Sequence, residues 1–231
     1  RSGTSCVTGL LERCGFDLGG GNVRILRKLT EHNPRGHFEP DLLFTINDRL
    51  LFEVPGDDFD MFHVPDEPAL RKLADKRDRY FQMFIRRFDG QVFKDPLLCL
   101  TLPFWEERWP EIQRTIFCLR HPMAVARSME KRYRLPLDQS LDLWTTYATR
   151  FFSVERSATF VFDFDAFTKE PHGALARLLR WLERPMTSDA VAMCLENFFE
   201  ATHVHWSDVD CASGVPSNIL DIYEGIRTLA S

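Results

Sequence analysis

Three short runs, Gln91-Val92-Phe93, Thr115-Ile116-Phe117-Cys118-Leu119 and Thr159-Phe160-Val161-Phe162, are, Gln91 apart, built from β-branched, aromatic and apolar residues with no polar alternation inside them. A strand that is apolar toward both sides must be covered on both faces, which is the situation inside a parallel sheet. Between these runs the apolar residues recur every three or four positions. Residues 69–88 place Leu70, Leu73, Ala74, Tyr80, Phe81, Phe84, Ile85 and Phe88 on one helical stripe, and 138–155 and 173–183 are similarly periodic. Strands alternating with helices predict an α/β fold in three layers, a central parallel sheet flanked by helices.

A chain of 231 residues with 44% hydrophobic content can bury one sizeable core, so a single domain over 1–231 is expected. The stretches 16–40, with Gly19-Gly20-Gly21, Asn33-Pro34 and Gly36, and 55–68, with Pro55, Gly56, Pro65 and Pro68, read as loops lying over a site. A formal charge of −5 argues against a life spent on nucleic acid or on an anionic membrane surface. There is no apolar run of bilayer length. The six cysteines, Cys6, Cys14, Cys99, Cys118, Cys194 and Cys211, show no Cys-x-x-Cys spacing, and the expectation is buried, reduced thiols in a cytoplasmic protein. His203 and His205 in His-Val-His-Trp lack a third partner in register, so they read as an aromatic cluster with Trp206 and no metal site is expected.

The chain opens on Arg1-Ser2-Gly3-Thr4-Ser5, which runs into the amphipathic segment Cys6 to Gly15. A basic, glycine- and hydroxyl-bearing turn at a helix start is an anion cradle: its N–H groups converge and the helix end adds partial positive charge. Gly3 admits close approach, and Thr4 and Ser5 offer hydroxyl donors. Such a turn is ordinarily delivered by a buried strand, so a first strand is expected before residue 1. A second anchor lies at Ile116 to Ser128, where a strand ends at Arg120, Pro122 starts a helix, and Ser128 lies two turns in. An arginine at a strand's carboxyl end and a hydroxyl on the following helix can hold one phosphate between them.

Taken together and in this order, the two segments resemble the sulfotransferases that use 3′-phosphoadenosine 5′-phosphosulfate (PAPS). In that family an [Arg/Lys]-Ser-Gly-Thr-[Ser/Thr] loop holds the 5′-phosphosulfate and an Arg…Ser pair holds the 3′-phosphate. Asn33-Pro34-Arg35-Gly36-His37-Phe38-Glu39, Lys94-Asp95-Pro96 and Leu143-Trp144-Thr145-Thr146-Tyr147 are similar to pieces of its bacterial, carbohydrate-type branch. Phe162-Asp163-Phe164-Asp165-Ala166-Phe167 stands where the family has a strand end near the nucleotide. The resemblance spans roughly residues 1 to 185. It implies a P-loop NTPase-like fold and cofactor binding by Arg1, Ser2, Gly3, Thr4, Ser5, Arg120 and Ser128. The product nucleotide would be 3′,5′-adenosine bisphosphate and the acceptor a carbohydrate or small molecule. The chain departs from the family at Leu97, where the branch has arginine, at Pro96, where the cytosolic branch has its catalytic histidine, and in lacking an Arg-Lys-Gly loop near its end.

Sulfuryl transfer needs cations on the reacting oxygens and a base for the acceptor proton. The expected roles are Arg1 and Lys94 as cations and Glu39 as base, with His37 and Asp41 as substitutes. The plain alternatives are that Lys94 is a surface lysine paired with Asp95 and that Glu39 caps a helix. For Arg120 the plain alternative is a structural ion pair. The run Arg71, Lys72, Lys76, Arg77, Arg79, Arg86 and Arg87, interleaved with Asp75 and Asp78, reads as a solvated helix face that an acidic sugar could also meet. Two other functions stay open. One is a P-loop nucleotide kinase, disfavoured by the missing Gly-Lys-[Ser/Thr] ending; the other is a family member that binds nucleotide or sugar without turnover.

Overall fold

The computed structural model describes residues 2–27, 36–53, 64–156, 158–196, 198 and 214–230. In chain order the elements are α1 (Thr4–Arg13), β1 (Ile25–Leu26), β2 (Glu39–Pro40), α2 (Asp41–Phe52), α3 (Glu67–Lys76), α4 (Asp78–Arg87) and α5 (Leu98–Glu106). There follow β3 (Thr115–Leu119), α6 (Pro122–Tyr133), α7 (Leu137–Phe152), β4 (Thr159–Asp163), α8 (Phe164–Lys169), α9 (Pro171–Trp181), α10 (Ser188–Leu195) and α11 (Ser217–Arg227). The protein is mixed α/β and mostly helical. It divides into two compact units, the first made of Arg1–Cys14, Arg114–Thr145 and Glu155–Ser231, the second of Gly15–Gln113 and Thr146–Val154. None of the described helices is long and apolar enough to cross a membrane.

In the first unit β3 and β4 pair in parallel from Thr115↔Thr159 to Leu119↔Asp163. Their inner residues, Phe117, Cys118 and Leu119 with Phe160, Val161 and Phe162, are buried, as runs of this composition require. Among the described residues the parallel sheet has these two strands, with one further parallel bridge from Val161 to Ala230. Several helices of this unit start on side-chain caps. Asp163 accepts from Ala166 N at the head of α8, Glu170 from Gly173 N at the head of α9, and Thr187 from Ala190 N at the head of α10.

The second unit is organised on an aromatic core from α4 and α5. The rings of Phe81 and Phe84 lie 4.4 and 5.3 Å from Trp105, and Phe93 stacks on Trp109 at 5.3 Å with planes 11° apart. Here the expected strand Gln91-Val92-Phe93 does not form. Gln91 and Val92 both send their N–H groups to Asp17 O, at 2.7 and 3.1 Å, so one acceptor serves two donors where a ladder would alternate them. The apolar character of the run comes from Phe93, which serves the aromatic cluster. The stripe at 69–88 is likewise two helices, broken at Arg77 with φ −109 and ψ 13. Within the expected loop 16–40 a two-residue antiparallel ladder pairs Ile25 with Pro40 and Leu26 with Glu39. Glu67 and Pro68, expected as loop, open α3 behind an Asp66 cap.

Phe84 touches Phe88, Phe93, Trp105 and Trp109 and is fully buried. Phe84→Ala should therefore lower the unfolding free energy by about 3–5 kcal/mol, and Phe84→Leu by clearly less, read from urea unfolding curves of the two variants.

Candidate functional site

In the first unit the Gly3 turn meets the ends of the strands. Gly3 is the N-cap of α1 in the left-handed region at φ 85, without a side-chain cap, and the first turn carries no acidic residue. No carboxylate of its own first turn therefore offsets the partial positive charge of this helix end. A second constraint demands glycine as well. A Cβ at position 3 would sit 2.2 Å from the ring of Phe164, so any side chain there would collide with it. Thr8 Oγ1 donates back to Thr4 O at 2.9 Å, which keeps that hydroxyl on its own helix. Arg1, the cation expected at the head of this turn, lies outside the described residues.

Arg120 leaves β3 beside the same ring, its guanidinium carbon 5.6 Å from the Phe164 centroid. Its Nε lies 3.7 Å from Asp165 Oδ1, so the ion pair offered as the plain alternative is present. The other oxygen of Asp165 accepts the His121 N–H at 2.6 Å, so one carboxylate orients the whole turn from β3 into α6. Ser128 is buried on α6. Asp163 accepts from Ala166 N and lies 3.3 Å from Arg227 Nε. The structure thus brings Gly3 and Arg120 onto one aromatic ring at the carboxyl ends of two parallel strands, the position where open α/β sheets bind ligands.

The second unit holds the other expected residues as a buried polar cluster. Lys94 Nζ donates to Glu39 Oε1 at 2.5 Å and to His37 O at 3.0 Å, and both charged side chains are less than a tenth exposed. Lys94 is therefore no surface lysine, and its ammonium is hydrogen-bonded to Glu39. Glu39 is a strand residue and does not cap α2, whose N-cap Pro40 makes no side-chain bond. Asp41 is partly exposed and lies 3.7 Å from Arg24.

Asp95 is held by the amide of Asn47, whose Nδ2 donates to Asp95 Oδ2 at 2.9 Å, and by Leu97 N, which donates to Oδ1 at 3.0 Å. The amide oxygen of Asn47 in turn accepts from Thr101 Oγ1 at 3.0 Å and Trp105 Nε1 at 2.8 Å. Asn47 escaped the sequence reading although a signal exists. It is a polar residue inside the buried stripe Leu43, Ile46, Leu50 and Leu51 of α2, a place where only a satisfied amide is tolerated. Burial, then the Glu39 carboxylate, pushes the Asp95 carboxyl up to about 6.

On the basic helices, Arg71 pairs with Glu107 at 2.9 Å and Arg77 with Glu53 at 2.8 Å, while Arg108 lies 2.7 and 2.8 Å from Asp75 and Asp78. Asp75 and Asp78 thus pair with Arg108, while Arg71 and Arg77 of the basic run find acids on other elements. Asn33-Pro34-Arg35 and His203, His205 and Trp206 lie outside the described residues. Among the described residues no three His, Cys, Asp or Glu side chains are grouped to hold a metal ion. No family model matches the chain, and neither does any curated protein or solved structure.

A carboxyl whose folded pKa exceeds its unfolded value stabilises the fold when protonated, and that contribution is lost as pH rises through about 6. The wild-type chain should lose about 2–3 kcal/mol more between about pH 4 and pH 7 than Asp95→Asn does, measured by urea unfolding across that range. Parallel pH profiles for the two proteins would show that Asp95 titrates normally.

Proposed function

We propose that this chain is a PAPS-dependent sulfotransferase with a three-layer, P-loop NTPase-like arrangement, transferring a sulfuryl group to a hydroxyl or amine of a carbohydrate or small molecule. The observation that supports it most is the convergence of the uncapped Gly3 turn and Arg120 on Phe164 at the strand ends. The donor set suits a nucleotide bearing two separate anionic groups: backbone N–H groups with the Thr4 and Ser5 hydroxyls for one, Arg120 with Ser128 for the other. PAPS supplies an already activated sulfuryl group, so the protein's task is positioning and charge compensation. Ser2 and Gly3 shape the turn, and Arg1 adds its fixed positive charge to the sulfuryl end.

The Glu39–Lys94 pair supports a coupled role for the two residues. While Glu39 is ionised it neutralises Lys94. When Glu39 takes a proton its charge disappears, and the Lys94 cation is no longer neutralised. Base and cation are thus linked: each proton accepted unmasks one positive charge. The direct hydrogen bond at 2.5 Å between the two groups supports this coupling.

Three measurements test the reading. In thermal-shift titrations 3′,5′-adenosine bisphosphate should stabilise the protein more than ADP with magnesium does; the reverse order would favour a kinase. Arg120→Ala should weaken the bisphosphate by about 1.5–3 kcal/mol and leave AMP almost untouched, and equal losses would remove Arg120 from the 3′-phosphate. Glu39→Gln keeps a hydrogen bond to Lys94 but cannot accept a proton, so turnover in a radiolabelled sulfate-transfer assay should fall about a hundredfold or more at unchanged cofactor affinity.

A further inference from the structure

We infer that Cys14 and Cys194 form a thiol–disulfide modification site, oxidised by a low-molecular-weight disulfide of the glutathione type, that staples α1 to α10. The inference does not depend on the sulfotransferase reading. Both residues belong to the first unit, and both are buried, at 7% and 6% exposure.

Their approach is set by the residue beside Cys14. A helix ends with carbonyls that have no partner within it and with partial negative charge, and a guanidinium is well suited to both. Arg13 meets that need at the end of α10: its Nε donates to Cys194 O at 2.8 Å, and its terminal nitrogen donates to Met193 O and Glu196 O, each at 3.1 Å. This clamp carries Cys194 onto the Arg13–Cys14 peptide. Cys194 Sγ donates to Arg13 O at 3.5 Å, which seats this thiol on the peptide that leads into Cys14. With one thiol held against the carbonyl that precedes the other cysteine, side-chain rotation and little backbone movement would bring the two sulfurs to bonding geometry. Arg13 and Cys194 are 181 positions apart, so a bond at this point would enclose most of the chain.

The reaction balances as two exchanges. A protein thiolate attacks the disulfide of oxidised glutathione, forming a mixed disulfide and releasing one glutathione thiolate. The neighbouring cysteine, deprotonated in its turn, attacks the protein sulfur of that mixed bond, closing Cys14–Cys194 and releasing the second glutathione. Two protein thiols lose two electrons to the reagent's disulfide, and their two protons end on the two glutathione thiols. Burial, reinforced by the neighbouring Cys194, pushes the Cys14 thiol up to about 12, which keeps its thiolate scarce near neutrality. The site therefore follows a sustained oxidising poise and is slow toward a brief pulse of oxidant. Exchange proceeds when the end of α10 opens.

The test uses the full chain, equilibrated overnight at about pH 8 in glutathione buffers of graded oxidised fraction, alkylated and mapped by mass spectrometry. A Cys14–Cys194 linked peptide should rise with the oxidised fraction and vanish with dithiothreitol, and the Tm should rise by about 5–15 °C. Cys14→Ser and Cys194→Ser, which preserve size and a donor, should show neither the linked peptide nor the Tm rise. Recovery of both cysteines alkylated at the oxidising limit, linkage of either one to a different cysteine, or a Tm rise that persists in Cys14→Ser would each overturn the inference. The mapping on the wild-type chain stands even if a serine variant folds poorly.

Discussion

The in-register parallel pairing of β3 with β4 is the constraint from which the candidate site follows. Because Leu119 lies opposite Asp163, the two chains leave the sheet side by side, and the next residues, Arg120 and Phe164, then His121 and Asp165, emerge as neighbours. Everything local is a consequence of that offset. Asp165 can reach both Arg120 and the His121 N–H, Asp163 can cap α8, and the Phe164 ring becomes the surface on which Gly3 and Arg120 both rest. A slip of one residue would turn the buried side chains of either strand to the opposite face and separate these pairs.

The second unit solves a different problem, that of keeping charge inside an apolar core. A buried ammonium without a counter-charge is costly, and a buried ion pair roughly breaks even against an apolar replacement. The Glu39–Lys94 pair is thus better understood as an arrangement that fixes two groups than as a source of stability. Asn47 does the same for Asp95 with a neutral side chain. Its amide donates at one end and accepts at the other, and Thr101, Trp105 and Asp95 present the complementary groups. A carboxylate in place of the amide would face Asp95 with a second acceptor, and a leucine would leave the indole N–H of Trp105 without a partner.

Helix α1 shows how one element can face two electrostatic demands at once. Its first turn is left positive, with neither an acidic residue nor a side-chain cap, whereas the arginine at its last turn is committed to the carbonyls of another helix. The first property is local to the turn. The second depends on α10 being packed nearby, and it brings Cys194 against the peptide that leads into Cys14, remote from it in sequence.

How much of this was open to reading in the amino-acid order divides along the same line. The two paired strands, the helix after Pro122 and the glycine-bearing turn follow from residue type and short spacing, because strand composition, proline placement and helix starts are decided within a few residues. The partners were decided only in three dimensions. Phe93 reads as strand but is taken by the aromatic cluster, Lys94 turns from the adjacent Asp95 to Glu39, Asn47 becomes a hub, and Arg13 finds α10. Each of these choices is a competition among distant groups for one donor, one acceptor or one apolar surface. Burial raises the cost of leaving any of them unmatched, and which groups are buried together is known only once the chain has packed.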